Sequence, residues 1–410
     1  MGSRLKLSLV CTSFLITILL VVGAVLGKSE QKEGAGAYRP LAVYTEILAR
    51  IKSDYVEEPD IPKVTQGALQ GLVEYLDPLS SYLSPEQFAE YKKRQGNPDG
   101  GSGLSTGLIV HKQGNYTSVL GVLPGSAAYK AGIRGDDLLD AINDVSTRVM
   151  PPAYLRAMLS GEAGTSIDVM VRSSSDYDSP VKHTLVRTDP VLPDVESRML
   201  DGSIGYLDVD FLGPDQVRQV ADAVGSLQAE GAEKLVLDLR GNASGTADDG
   251  IALANLVLEK GTIGSLKGQN FAEKQFAASV ETTVTNLPLV VIVNRPTAGG
   301  AEIAAAAIQQ NDRGEVVGES SAGLAAMQET VDLDDGAALI LSVAKFYGPG
   351  GEAIHKEGVE PDRSVSQRDL RRYREVRQRE YDTPEAQKEA QEEVGDPFLD
   401  MALEALNGSA

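Results

Sequence analysis

Few side chains in this 410-residue sequence are suited to chemistry. The three histidines, His111, His183 and His355, are scattered without metal-ligand spacing, so neither a metal site nor a serine–histidine triad is expected. Cys11 is the single cysteine, which rules out a disulfide framework or a thiolate cluster within one chain, and no cofactor is expected. Serines and lysines are the other reactive side chains, and several stand in turns, loops or strands that could present them. Ser244 stands in a glycine-flanked turn, Ser320 and Ser321 in a polar loop, and Lys345 in an otherwise apolar strand. Each also reads as an ordinary turn, loop or surface residue.

The charge narrows the partners. With 38 Lys and Arg against 59 Asp and Glu the net charge is -21, which repels nucleic acid and anionic lipid.

The elements that must position such groups begin after a long apolar run. Residues 7–26 are uncharged and mostly apolar over about the ~20 residues a spanning helix needs, and Arg4 and Lys6 precede them. The expectation is a single-pass anchor at 1–27 with a cytoplasmic amino terminus and an extracytoplasmic body, periplasmic or on an outer face. Residues 28–37 read as a tether. Val43, Tyr44, Ile47, Leu48, Ile51 and Tyr55 recur at helical spacing, as do Ile61, Val64, Leu69, Leu72, Val73 and Leu76. Ser84-Pro85-Glu86-Gln87 carries an N-cap, a proline at the first helical position and a glutamine at N3. These predict a helical amino-terminal unit over 38–95.

Short strand-like runs with one helix then predict a compact β-rich domain over 96–190. Strands and helices alternate over 191–365, as in an α/β domain. Charged carboxyl-terminal helices follow over 366–410, their exposed face the simplest reading of the alternating charge.

Several phrases, in order, resemble the carboxyl-terminal processing (tail-specific) serine peptidase family. Leu76-Asp77-Pro78-Leu79-Ser80-Ser81-Tyr82-Leu83 is similar to its "LDPHSSYL", and Leu237-Asp238-Leu239-Arg240-Gly241-Asn242-Ala243-Ser244-Gly245 to its "LDLRNNPGG". Ser342 to Gly351 resembles "TAxYYTPSG", and Gly358-Val359-Glu360-Pro361-Asp362 resembles "GIxPD". Pro124-Gly125-Ser126-Ala127-Ala128 and Ala131-Gly132-Ile133 resemble PDZ phrases. The implied architecture is a mixed α/β peptidase-type domain with an inserted β-rich PDZ domain and an amino-terminal helical unit. A PDZ domain adds a peptide as a strand and holds its terminal carboxylate on loop amides. By position that loop is Ser105-Thr106-Gly107-Leu108.

The resemblance also implies where a serine nucleophile and a lysine base belong. The "SASASEI" phrase aligns with Thr297-Ala298-Gly299-Gly300-Ala301-Glu302-Ile303, so Gly299 stands at the nucleophile position. The "GExTFGKGxVQ" phrase aligns with Gly318 to Gln328, so Leu324 stands at the lysine position and Gln328 at that of the positioning glutamine. Ser244, Gly245 and Gly300 are the candidates for the oxyanion turn.

The resulting expectation is a non-cleaving relative that binds protein carboxyl termini or partner proteins, an active relative among them. The alternatives are a serine endopeptidase with a displaced dyad built from Ser320 or Ser321, and a structural homo-oligomer assembled through its helical ends.

Overall fold

The computed structural model describes residues 35–96, 103–378 and 393–408. The chain divides into two units, 1–68 and 69–410. In the first, helix α1 (Ala35–Asp54) half-buries Tyr44, Leu48 and Ile51, one stripe at four- and three-residue steps, while Leu41, Val43 and Ile47 are exposed. Helix α2 (Ile61–Glu74) runs across the division.

Among the described residues no helix is long and apolar enough to cross a membrane, which overturns the expected single-pass anchor. The run 7–26 on which it rested lies outside the described residues.

After α2 the chain turns at Asp77 and forms strand β1 (Ser81–Leu83) and helix α3 (Pro85–Gln95). The cap of α3 is closed from both sides. Ser84 Oγ accepts the Gln87 N–H at 3.3 Å, and Gln87 Oε1 accepts the Ser84 N–H at 3.0 Å.

The middle domain contains β2 (Leu108–Gln113), β3 (Tyr116–Val122), helix α4 (Ala127–Lys130), β4 (Leu138–Ile142), β5 (Val145–Ser146), helix α5 (Pro152–Leu159), β6 (Ser166–Ser173) and β7 (Asp176–Val186). Its sheet has the order β2-β3-β4-β6-β7, with β5 on β4, so β2 and β7 are edges. Leu108, Val110, Val119, Leu139, Ile142, Ile167, Val169 and Val171 alternate inward against Leu155 and Leu159 of α5.

The larger domain continues with β8 (Glu196–Leu200), β9 (Ile204–Asp208), α6 (Pro214–Ala229), β10 (Lys234–Asp238), α7 (Ala247–Asn255), β11 (Thr262–Lys267), β12 (Lys274–Ala277) and β13 (Leu289–Val293). It is completed by α8 (Gly300–Gln310), β14 (Gly314–Gly318), β15 (Ala326–Asp332), β16 (Ala338–Tyr347), β17 (Arg363–Ser364), α9 (Gln367–Gln378) and α10 (Pro397–Gly408).

Its main sheet runs β17-β14-β13-β10-β9-β8 and is parallel except for the β8–β9 pair. Both faces are covered, which is why β10 and β13 read as continuous apolar runs. Leu235, Leu237, Leu289, Val291 and Val293 face α6, α7 and α8. Val236, Val290 and Ile292 face Leu370 of α9 and Phe398, Ala402, Ala405 and Leu406 of α10. The carboxyl-terminal helix is therefore a packed layer of the fold, its core contacts set by those four apolar residues.

A second sheet joins β1, β16, β11 and β12, with β15 on β16. Ser81, Tyr82 and Leu83 pair with Ile340, Leu339 and Ala338, which fixes the Asp77 turn onto the larger domain.

Candidate active site

Strand β13 delivers the chain to a tight turn at its carboxyl end. Thr297 N–H bonds Asn294 O at 2.9 Å, Thr297 Oγ1 accepts the Asn294 N–H at 3.1 Å, and the same hydroxyl donates to Leu239 O at 2.8 Å. Gly299 follows, with φ 61° and ψ -117°, and α8 begins at once. This is a sharp strand-to-helix turn of the kind that exposes a nucleophile, in a backbone conformation that L side chains rarely adopt. Gly299 has no side chain to present. A Cβ built there would meet nothing within 4 Å, so the space for one is open.

Glu302, three residues into the same turn, ties the site together. Its fully buried carboxylate accepts the Gly299 N–H at 2.8 Å, the Leu324 N–H at 2.8 Å, the Gly323 N–H at 2.6 Å and the Ser321 hydroxyl at 2.5 Å. Burial pushes its pKa up against the opposing pull of these donors. In sequence Glu302 served only to fix a register. The signal that could have found it is its N3 spacing behind a helix-starting glycine.

These bonds decide the fate of the other candidates. Leu324 is half-buried on the loop that Glu302 holds, and its apolar side chain cannot accept a proton. Ser321 is spent on Glu302 and on the Val359 N–H, which it accepts at 2.7 Å. Ser320 is exposed on the same loop. Lys345 lies on β16 opposite Ala326 and lines a separate cavity with Lys267 and Tyr347.

Gln328 donates from Nε2 to Leu79 O at 2.8 Å. It therefore braces the Asp77 turn. Asp77 accepts the N–H groups of Leu79 and Ser80 at 2.9 Å each, the Ser80 hydroxyl at 2.8 Å and the Ser342 hydroxyl at 3.1 Å. Burial alone would raise its pKa, but His355, Ser80 and these amides hold it well below the usual carboxylate range. His355 Nε2 sits 3.7 Å from Asp77 Oδ1, buried. That pairing joins residues far apart in sequence, and spacing alone gave no sign of it.

The oxyanion-turn candidates are brought alongside the Gly299 turn. Gly241 N–H bonds Asn294 Oδ1 at 2.9 Å and Ala298 N–H bonds Asn242 O at 2.8 Å. Ser244 Oγ accepts the Leu212 N–H at 2.8 Å, which commits it to the turn. A Cβ on Gly245 would lie 2.8 Å from Leu212 O, and one on Gly300 would lie 2.4 Å from Thr246 O. Gly300 contributes a first-turn amide, which has no acceptor within its own helix.

The Ser105–Leu108 loop is closed on itself. Thr106 N–H bonds Gly103 O at 3.1 Å, Gly107 N–H bonds Leu104 O at 2.9 Å, and Leu108 N–H approaches Thr106 Oγ1 at 3.4 Å. Ser105 Oγ donates to Leu159 O at 3.3 Å and accepts the Gly161 N–H at 3.1 Å. All four residues are buried, so the loop offers no outward row of amides to a carboxylate.

Open space lies instead along the seam between the middle and larger domains. One cavity of about 830 Å³ runs between β2 and β3 on one side and Arg295, Pro296 and Ser320 to Ala322 on the other. A second, of about 280 Å³, lies between β2, the Asp77 turn and Gly323. His111, Gln113 and Ala322 line both, so the two adjoin beside the loop that carries Leu324. Burial and nearby Arg156 push the His111 pKa down to about 4, leaving it neutral at physiological pH.

Behind the site, buried Asp238 and half-buried Arg240 are joined by three contacts, two of 2.9 Å and one of 2.5 Å, and Arg240 also reaches Asp396 at 2.9 Å. Tyr206 donates its hydroxyl to Asp238 at 2.7 Å. Burial, reinforced by Asp210 and Asp238, raises the neighbouring Asp208 to about 7.

Residues 203–365 match peptidase family S41, and residues 118–173 match a PDZ domain. The chain is similar to the carboxy-terminal processing protease CtpA of Bacillus subtilis, with 30% identity over 82% of this chain and 71% of that one. It is 31% identical to a carboxyl-terminal-processing protease of Synechocystis over 77% of this chain and 75% of that one. Among solved structures, the photosystem II D1 C-terminal processing protease superposes with a TM-score of 0.61 at 23% identity, covering 79% of this chain and 92% of that chain.

Proposed function

The chain belongs to peptidase family S41, with the carboxyl-terminal processing proteases, and from that premise we propose that it is a non-cleaving member that binds extended peptide tails. The observation that carries this reading is the pairing of Gly299 at the strand-to-helix turn with Leu324 on the loop that shares its Glu302 anchor. Removing a nucleophile or its base typically costs about 10⁶ in turnover, leaving roughly 10³ to 10⁴ over water from binding and charge stabilisation. Ser321 is no substitute, because its hydroxyl already serves Glu302 and Val359.

The seam supplies the binding role. β2 is a sheet edge, and its alternate residues His111 and Gln113 line the adjoining cavities. An extended chain laid there would pass the Ser320–Gly323 loop. The buried Ser105–Leu108 loop favours this route over capture of a carboxylate on loop amides.

The test uses the full chain with an unstructured protein tail as substrate. The protein as it stands should retain the tail uncut, and Gly299→Ser combined with Leu324→Lys should cut it while neither single variant does. Cleavage by the unaltered protein that disappears on Ser320→Ala would overturn the reading.

A further inference from the structure

The larger cavity is lined by charged groups of both signs. On the wall contributed by the larger domain these are Arg295, Glu319 and Arg374; on the middle-domain wall Asp136 is exposed. Glu319 and Arg374 satisfy each other, with two contacts of 2.9 and 2.8 Å from one guanidinium nitrogen. Arg295 differs. Its side chain is exposed to the cavity and has no hydrogen bond or ion pair among the described residues. In a chain with a net charge of -21, a guanidinium left without a carboxylate is out of keeping with its surroundings.

Its mount is rigid. Arg295 and Pro296 are the two central residues of the turn closed by Asn294 and Thr297, and Pro296 fixes its own φ. Thr297 is fastened in turn to Leu239, so the base of Arg295 is held by the main sheet. A fixed, unpaired guanidinium beside a cleft is suited to bidentate capture of a carboxylate.

We infer that Arg295 selects the ligand of the cleft, anchoring one carboxylate of a bound extended peptide. This rests on the peptide-binding reading above and adds its specificity. Asp136 on the opposite wall disfavours an acidic tract, so the ligand is a peptide with a single carboxylate near the anchor. That group can be a glutamate or aspartate side chain or the chain terminus; the chemistry is the same.

The experiment is fluorescence anisotropy of the full chain with three labelled short peptides of alternating valine and serine. One has a central glutamate and an amidated end, one has glutamine in its place and an amidated end, and one has glutamine and a free carboxyl end. At least one carboxylate-bearing peptide should bind about tenfold more tightly than the neutral one, the side-chain and terminal arms showing which source is used. Arg295→Gln should erase that difference, and Arg295→Glu should reverse it. The preference should shrink as salt rises. Equal binding of all three peptides, or a preference that survives Arg295→Gln, would overturn the inference while leaving the peptide-binding reading in place. Absence of binding by every peptide would overturn both.

Discussion

Glu302 Oε2 accepts the Gly299 N–H and the Leu324 N–H, each at 2.8 Å, so one oxygen joins the turn where a nucleophile would stand to the loop where its base would stand. The two positions are held in register by this one carboxylate. Removing that carboxylate leaves the amides of Gly299, Gly323 and Leu324 and the Ser321 hydroxyl without their acceptor. Glu302→Ala should therefore lower stability by about 2 to 4 kcal/mol in urea unfolding. Hydrogen exchange should rise at Gly323 and Leu324 while β13 stays protected.

Neighbouring glycines of the turn should respond differently to a methyl group. Gly299→Ala meets open space and bears only the cost of its positive φ, about 1 to 2 kcal/mol. Gly300→Ala drives a Cβ to 2.4 Å from Thr246 O, so helix α8 must shift, at a cost of about 3 kcal/mol or more. Parallel denaturation curves separate the two, and equal losses would show that the packing at Gly300 is looser than described.

Asp208 gives the fold a pH dependence of known sign. Its pKa is raised from 3.8 to about 7, so the folded chain binds more protons than the unfolded one between those values. Its contribution to stability is present below about pH 4 and is lost as pH rises through about 7. Asp77 has the opposite shift, and its contribution is complete above its unfolded pKa near 4. Between pH 5 and 8 the melting temperature should therefore fall, and Asp208→Asn should flatten that slope.

The Arg240 clamp should be asymmetric. Arg240→Ala strands the carboxylate of Asp238, which is 2% exposed, and should cost about 3 to 5 kcal/mol. Asp396→Asn leaves the Arg240–Asp238 pair intact and should cost about 1 kcal/mol, seen chiefly as earlier proteolysis ahead of α10.

Much of the fold was legible because its signals are local. The capping box at Ser84 and the apolar run Leu289–Val293 declare their elements in a few residues. Phrase order alone is what points to Gly299, Leu324 and Gln328 as the site positions, without any geometry. Other features depend on residues distant in sequence. Asp77 meets His355 only after β1 pairs with β16, and Glu302 gathers donors from a loop about twenty residues away. The buried state of Ser105–Leu108 was equally hidden, since it follows from how α5 ends against that loop. The packing of α10 was hidden likewise, since its four apolar residues close a face of the main sheet on β10 and β13, strands far earlier in the chain.

At the crossing of α7 and α8, a Cβ on Gly250 would fall 2.0 Å from Gly300 O, so the two helices touch backbone to backbone. At this crossing the spacing of the two helices is set by main chain alone, whichever residues stand at 299 and 324. Such a scaffold is a poor witness to its own chemistry. Superposition can recognise the lineage of this protein, whereas its chemistry depends on which residues stand at the turn and on the adjoining loop.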